Sequence, residues 1–286
     1  MLKEMALALV ALSVLPGCFK EKILLNVHAD RSGKIHVSQT CGESISALHL
    51  IGTIGRESEG ACAHRALVDE LACWNGIVGW RNEQSSVKDG IVSFEADGYF
   101  ADLNALGRSE PGMGDQRFGA RSLKADELEI RWTFKPTPAW TGDPYEKCCA
   151  RVRMLEGFEL TGEISVPGPV THAETATAIG ERGLAWTLAS GEVLANEIRD
   201  YDKRIAAGEL TADEAAAKLH ASYAERQAVV RCRVTESAET RTRFGHRLEA
   251  VRKAYVGSPL EAEVEARKHE RTPARIDESA SYGVIR

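Results

Sequence analysis

Apolar and polar positions alternate along Ile23, Leu25, Val27 and Ala29, set against Leu24, Asn26 and His28, until Asp30-Arg31-Ser32-Gly33 interrupts before Ile35 and Val37. Period two marks a strand with one buried face, so residues 22–41 read as a β-hairpin. A three-residue loop with Gly33 in the left-handed conformation is the expected turn. That register pairs Val27 with Val37 and Ala29 with Ile35, and it sets His28 opposite His36.

Helical periodicity follows over about 44–55 and 61–75, where His64, Leu67, Leu71 and Trp74 form one stripe, making His64 a partly buried core residue. Strand patterns return at about 78–86 and 90–97, joined by Lys88-Asp89-Gly90 as a second hairpin. Gly107 to Gly119, with Pro111, Gly112 and Gly114, reads as a loop. Strands resume near 116–122 and 127–134, the latter alternating Leu128, Ile130, Trp132 and Phe134 against Glu129, Arg131 and Thr133. Pro136 to Pro144 is a turn-rich connection, and Cys148-Cys149 sits on a short segment before a strand from Phe158 to Val166, ended by Pro167-Gly168. Leu184 to Leu188 is another strand, with Leu184, Trp186 and Leu188 on one face.

At Ser190 the period changes. Leu194, Ile198, Tyr201 and Ile205 make an amphipathic helix that ends at Gly208. Thr211-Ala212-Asp213-Glu214 is a capping box that opens a second helix through Leu219 and Tyr223. Val230, Cys232 and Val234 alternate with Arg231 and Arg233, so the helical pair reads as an excursion between two strands of one sheet. A helix over 237–256 carries Phe244, Leu248, Val251 and Tyr255, and the charged EAEVEARKHE segment after Pro259 lacks an apolar stripe and reads as solvated. The pattern predicts an α+β fold: a mostly antiparallel sheet packed with helices, a two-helix excursion at about 190–225 and a helical C-terminal region. The predicted boundaries are a signal segment 1–17, an α+β domain 18–235, C-terminal helices 236–270 and a loose tail 271–286.

The apolar run from Met5 to Leu15, preceded by Lys3, ends in Leu15-Pro16-Gly17-Cys18. A charged start, a short apolar stretch and a small residue before cysteine are the parts of a bacterial lipoprotein signal. Eleven apolar residues are too few to span a bilayer, which takes about 20. Cleavage would leave Cys18 as an acylated N-terminus. One buried acyl chain holds only marginally, whereas three on Cys18 would anchor the chain permanently. The expected address is the cell envelope, with the membrane engaged through the acyl chains on Cys18. Phe19 is not the Asp that commonly signals inner-membrane retention, so the outer membrane is favoured in a two-membrane host.

The formal charge of -6 over 286 residues gives no nucleic-acid footprint, and 43% hydrophobic with 27% charged residues is an ordinary globular balance. Six further cysteines, Cys41, Cys62, Cys73, Cys148, Cys149 and Cys232, make disulfides the default expectation in an oxidising compartment. Cys62 with Cys73 is argued against by about 16 Å of helix, and Cys148 with Cys149 by ring strain. A vicinal-thiol metal or redox site at Cys148-Cys149 is the alternative, without a C-x-x-C spacing to support it. Facing imidazoles make His28 and His36 weak metal candidates lacking a third ligand. His172-Ala173-Glu174 matches H-x-E of zinc deaminases, but without P-C-x-x-C it reads as a surface loop. There is no G-x-S-x-G, H-E-x-x-H, Walker A or EF-hand loop, so no catalytic residue and no cofactor is assigned.

The Asp30 to Gly33 turn just after the lipid-bearing cysteine, the strand end Val166-Pro167-Gly168 and the W-T strand Ala185 to Leu188 together resemble the domain of LppM-type bacterial lipoproteins of unassigned role, over about 20–190. The resemblance implies an α+β sandwich and supplies no catalytic residues. The expected function is a non-enzymatic, lipid-anchored envelope protein that binds an envelope partner or has a structural role. A carrier of a lipid or other apolar ligand, and an envelope enzyme with an unrecognised site, are the alternatives.

Overall fold

The computed structural model describes residues 19–42, 59–89, 91–110, 114–136, 142–154, 157–174, 176–222 and 226–271. Among these residues thirteen strands form two sheets that face each other. Sheet A has seven: β1 Phe19–Val27, β2 Gly33–Gly42, β4 Ile77–Lys88, β5 Ile91–Phe100, β9 Glu159–Ser165, β11 Thr177–Ala178 and β12 Gly183–Ser190, in the order β11-β12-β9-β1-β2-β5-β4. Sheet B has six: β3 Trp74–Asn75, β6 Gly107–Glu110, β7 Gly114–Lys124, β8 Glu127–Pro136, β10 Val170–Ala173 and β13 Arg226–Arg233, in the order β10-β13-β8-β7-β6-β3. Every pairing is antiparallel except β1 with β9.

Alternation explains the core. Ile23, Leu25 and Val27 of β1, Ile35 and Val37 of β2, and Leu128, Ile130, Trp132 and Phe134 of β8 all point between the sheets and are buried. Trp132 crosses the gap so closely that a Cβ added at Gly162 of β9 would lie 2.1 Å from its ring, which only a glycine permits. Phe118 lies between Trp132 (5.0 Å between centroids) and Trp74 (6.1 Å), giving an aromatic column along the interior.

Six helices complete the described fold. Helix α1, Glu59–Cys73, lies on the inner side of β4 and β5 through Ala63, Leu67 and Leu71. Helices α2 Tyr145–Met154, α3 Gly191–Ala206 and α4 Ala212–Ser222 bury Tyr145, Cys148, Val152, Leu194, Ile198, Ala215 and Leu219 among themselves, as a second small core. Helix α5, Ala238–Tyr255, packs on the outer face of β4, where Val251 and Tyr255 crowd Gly79. Helix α6, Pro259–Arg271, packs on α1.

The α+β class predicted from the sequence is what the chain adopts, and several local expectations are corrected. The first hairpin is in a different register: Ile23 pairs with Val37 and Val27 with Gly33, so Leu24, not His28, faces His36. The loop is His28 to Ser32, closed by His28 N–H to Ser32 O (2.8 Å) and by Asp30 Oδ1 accepting from Ser32 N (3.0 Å), with Arg31 rather than Gly33 at positive φ. Gly33 opens β2, paired with Val27, where a Cβ would meet Asn26 O at 2.1 Å and only glycine fits. The slip is an even number of residues, so the buried face is unchanged.

Most of the expected loop at 107–119 is strand, β6 and the start of β7, drawn into the sheet by the inward-pointing Arg108 and Gln116. His172 sits on β10 rather than a loop, opposite Arg231. Helices α3 and α4 do not link strands of one sheet: β12 is in sheet A and β13 in sheet B, so the excursion carries the chain across the sandwich. The segment after Pro259 is not wholly solvated, because Val264 is fully buried against α1. The predicted helix at 44–55, the lipoprotein signal with Cys18, and all but Arg271 of the predicted tail lie outside the described residues.

Candidate functional site

One end of the sandwich is marked by Phe19, which stacks on Phe158 at 5.3 Å, with Gly191 N–H donating to Phe158 O and placing the start of α3 there. This proximal end carries the α2–α4 cluster. At the distal end lie the His28–Ser32 turn and the Gly183 start of β12. The cavity of interest opens on the outer face of sheet A, in its distal half. It has a volume of about 650 Å³ and is bounded by β1, β2, β9 and the 179–183 turn.

Its surface is more apolar than polar, with charged groups set among the apolar ones. Leu24 and the exposed Ile179 supply apolar surface; Lys34, Glu163 and Arg182 supply charges and His36 an imidazole. Gly180 at φ 136 and Ile179 N–H to Gly183 O (3.0 Å) fold the turn so that Ile179 stands beside the groove. Asp97, buried on the outward side of β5, organises the floor. It accepts from Lys34 Nζ (2.8 Å) and Asn82 Nδ2 (2.7 Å), and its Oδ1 lies 2.9 Å from His36 Nδ1. Burial pushes the Asp97 carboxyl up, but the hydrogen bonds from Lys34, Asn82 and His36 outweigh it and hold the group below its ordinary range. The other nitrogen of His36 faces Glu95 Oε2 at 3.9 Å, an acid rather than a hydroxyl or thiol. Asp97 therefore orients the His36 ring within the groove, with its second nitrogen towards Glu95. The groove thus presents apolar and polar groups side by side.

The structure separates the two histidines that the sequence brought together. His36 lies in the groove, while His28 Nδ1 bonds Glu236 and its ring lies 4.1 Å from that of Phe244 on α5. Glu236 also accepts from Ala29 N–H at 2.8 Å, so His28 serves to fasten the turn to α5. His64 is exposed and pairs with Glu263 of α6 at 2.6 Å, not with the core. Among the described residues no three histidine, cysteine or acidic side chains converge as a metal site.

Cys41, Cys73 and Cys232 are buried in the main core on β2, α1 and β13, whereas Cys148 and Cys149 lie on α2 in the second core. No sulfur–sulfur bond joins any two of these five. Cys62 lies on α1, with its side chain outside the described set. Cys148 Sγ is 3.4 Å from His220 Nε2 of α4, and Tyr145 OH donates to Asp202 Oδ1 (2.9 Å) and Ile198 O (3.2 Å) of α3. These bonds tie the three helices together. Burial raises the Tyr145 phenol well above its ordinary value, as does the Asp202 bond, keeping it a donor. Burial likewise pushes the Cys232 thiol up to about 11.

Sequence reasoning missed a buried ionic cluster. Arg108 of β6 donates to Glu70 of α1 through Nε and Nη2, both at 2.7 Å, and its Nη2 lies 3.2 Å from Glu21 Oε2 of β1. Trp74 Nε1 adds 2.8 Å to Glu70 Oε1, and Gln116 Oε1 accepts from Trp132 Nε1 at 3.1 Å beside it. Glu21, Glu70, Arg108 and Gln116 are all buried. Burial alone would raise the Glu70 carboxyl, but the charge and paired bonds of Arg108 win and hold it low. An inward Glu21 in the alternation of β1 was the available signal.

No family model matches the chain and no curated protein matches it. Among solved structures it has a weak similarity to the folded domain of LppM from Mycobacterium tuberculosis, determined by NMR. The TM-score is 0.37 at 10% identity, over 78% of this chain and 94% of that one.

Proposed function

We propose that this chain is a lipid-anchored cell-envelope protein with a non-catalytic binding role, tethered at Cys18 and presenting the sheet A groove to another envelope component. The supporting observation is the position of β1. Its first residue, Phe19, follows Cys18 directly and is already buried against Phe158, so no linker separates the acylated residue from the folded body. Consecutive Cα atoms are about 3.8 Å apart, so the proximal end would rest at the bilayer surface. The groove opens in the opposite half of the sandwich and would face away from the membrane. No helix among the described residues is long and apolar enough to cross a membrane. Residence in the outer membrane of a two-membrane host belongs to the same proposal.

Fractionation of the native host tests it: the chain is expected in the membrane fraction and released into the soluble fraction by Cys18→Ser. Retention of the Cys18→Ser chain in membranes after alkaline washing, with its leader cleaved, would defeat the tether. A carrier role is favoured by one observation, the exposed Ile179 beside Leu24 at a groove of this size. Native mass spectrometry of detergent-extracted protein reports it: a copurifying lipid lost in Ile179→Asp supports carriage, and a bare chain supports protein contact.

A further inference from the structure

The outward face of β7, β8 and β13 carries an excess of positive charge in a chain of net charge -6. Its distal row is nearly self-neutral, since Lys124 reaches Glu127 at 3.8 Å and Arg233 reaches Asp126 at 4.0 Å. At the proximal row Asp115 pairs across strands with Lys135. The surplus lies between them. Cross-strand rows place Arg121, Glu129 and Arg231 together, then Gly119, Arg131 and Val229, then Arg117, Thr133 and Gln227. Four arginines stand against one carboxylate, leaving +3 on the middle of the face. The strand beyond, β10, adds His172 opposite Arg231 and Glu174 3.5 Å from His172.

The one carboxylate is spent on order rather than neutrality. Glu129, with no exposed surface, accepts from Arg121 Nε (2.8 Å), Arg131 Nε (2.8 Å) and Arg231 Nε (2.8 Å). Three guanidinium groups sharing one carboxylate stand within a few ångströms of each other and repel. Their side chains are 59%, 44% and 39% exposed, so the array faces solvent. The residue opposite Arg131 on β7 is Gly119, which puts no side chain beside the guanidinium and is edged by Asn104, whose Oδ1 lies 3.6 Å from where a Cβ would stand. Helical residues do not cover this face in any substantial contact among the described residues. Planar guanidinium forks fixed in advance and lacking balancing charge match a tetrahedral oxyanion.

We propose that Arg121, Arg131 and Arg231, ordered by Glu129, together with Arg117 two rows along the same face, form a binding site for a phosphate group. The site is separate from the sheet A groove and does not depend on the tether. The phosphate belongs either to a soluble phosphate ester or to a phospholipid headgroup, and the test distinguishes the two.

The full chain, in neutral detergent, is titrated calorimetrically with inorganic pyrophosphate at constant ionic strength. In parallel, its Cys18→Ser form is sedimented with vesicles of phosphatidylglycerol or of phosphatidylcholine. Saturable pyrophosphate binding, weakened about tenfold or more by Arg131→Gln as one charge-assisted hydrogen bond is lost, supports a soluble ester. Selective sedimentation with phosphatidylglycerol, lost in Arg117→Gln/Arg131→Gln, supports a headgroup. Both substitutions are at exposed positions, and an unchanged melting temperature shows that they leave the fold intact. Absence of both signals, or signals indifferent to Arg131→Gln and Arg117→Gln, overturns the proposal.

Discussion

Replacing Arg108 by Ala removes the positive charge that lies between Glu21 and Glu70 and leaves both carboxylates inside the sandwich. Arg108 makes two 2.7 Å bonds to Glu70 and a 3.2 Å contact to Glu21, with its side chain 1% exposed. Breaking a buried ion pair by removing one partner costs about 3–5 kcal/mol, mostly the penalty of the stranded charge. The cavity left by the long side chain adds to this. In a chain this size about 1 kcal/mol moves the melting temperature by roughly 2–4 °C, so Arg108→Ala is expected to melt roughly 6–20 °C lower. The companion variant Glu21→Leu/Glu70→Leu/Arg108→Met removes all three charges together. It should recover most of that loss, because an apolar replacement of a buried ion cluster is often neutral or stabilising. Differential scanning calorimetry at pH 7 measures both. A melting temperature of Arg108→Ala within about 2 °C of the parent would refute the claim that a stranded carboxylate dominates.

Other expectations follow from the same geometry. Gly162→Ala drives a Cβ into Trp132 and should cost at least about 2 kcal/mol by urea titration; a change below about 0.5 kcal/mol would contradict the close packing of the sheets. Arg121, followed by Arg131 and Arg231, holds the Glu129 carboxyl at about 2 against an ordinary 4.5, so its stabilising contribution is complete above about pH 4.5 and disappears as pH falls towards 2. Glu129→Gln should therefore flatten the fall of melting temperature between pH 5 and 2, and an unchanged slope would count against the cluster. Cys232, with its thiol raised to about 11 by burial, should resist iodoacetamide at pH 8 until the chain unfolds; rapid labelling of the native protein would contradict its placement. Val264→Ala should weaken α6 on α1 by about 1–3 kcal/mol and speed amide exchange in 259–271 before the sheets open. Exchange unchanged in that segment would argue against the docking.

Legibility in the sequence followed the range of the interactions involved. Strand β8 was readable residue by residue, since Leu128, Ile130, Trp132 and Phe134 bury themselves by simple alternation. The Thr211 and Glu214 capping box was readable too, and the structure forms it with Glu214 N–H to Thr211 Oγ1 at 3.2 Å and Thr211 N–H to Glu214 Oε2 at 2.8 Å. What distant partners decide was not readable. The hairpin register depends on Gly33 fitting beneath Phe100, and β6 is a strand because Arg108 finds Glu70, 38 residues earlier. Val264 looked isolated in a charged segment, yet one apolar side chain suffices when α1 supplies the opposing surface. The groove had no local motif either: Leu24, His36, Glu163 and Ile179 meet only because β1 pairs in parallel with β9.

The tether is the claim on which orientation and address depend, and intact mass spectrometry of the N-terminal fragment from the native host tests it most directly. The expected product begins at Cys18 and carries a diacylglyceryl thioether, with or without a third acyl chain on the amine. A chain that retains Met1 and bears an unmodified Cys18 would contradict it.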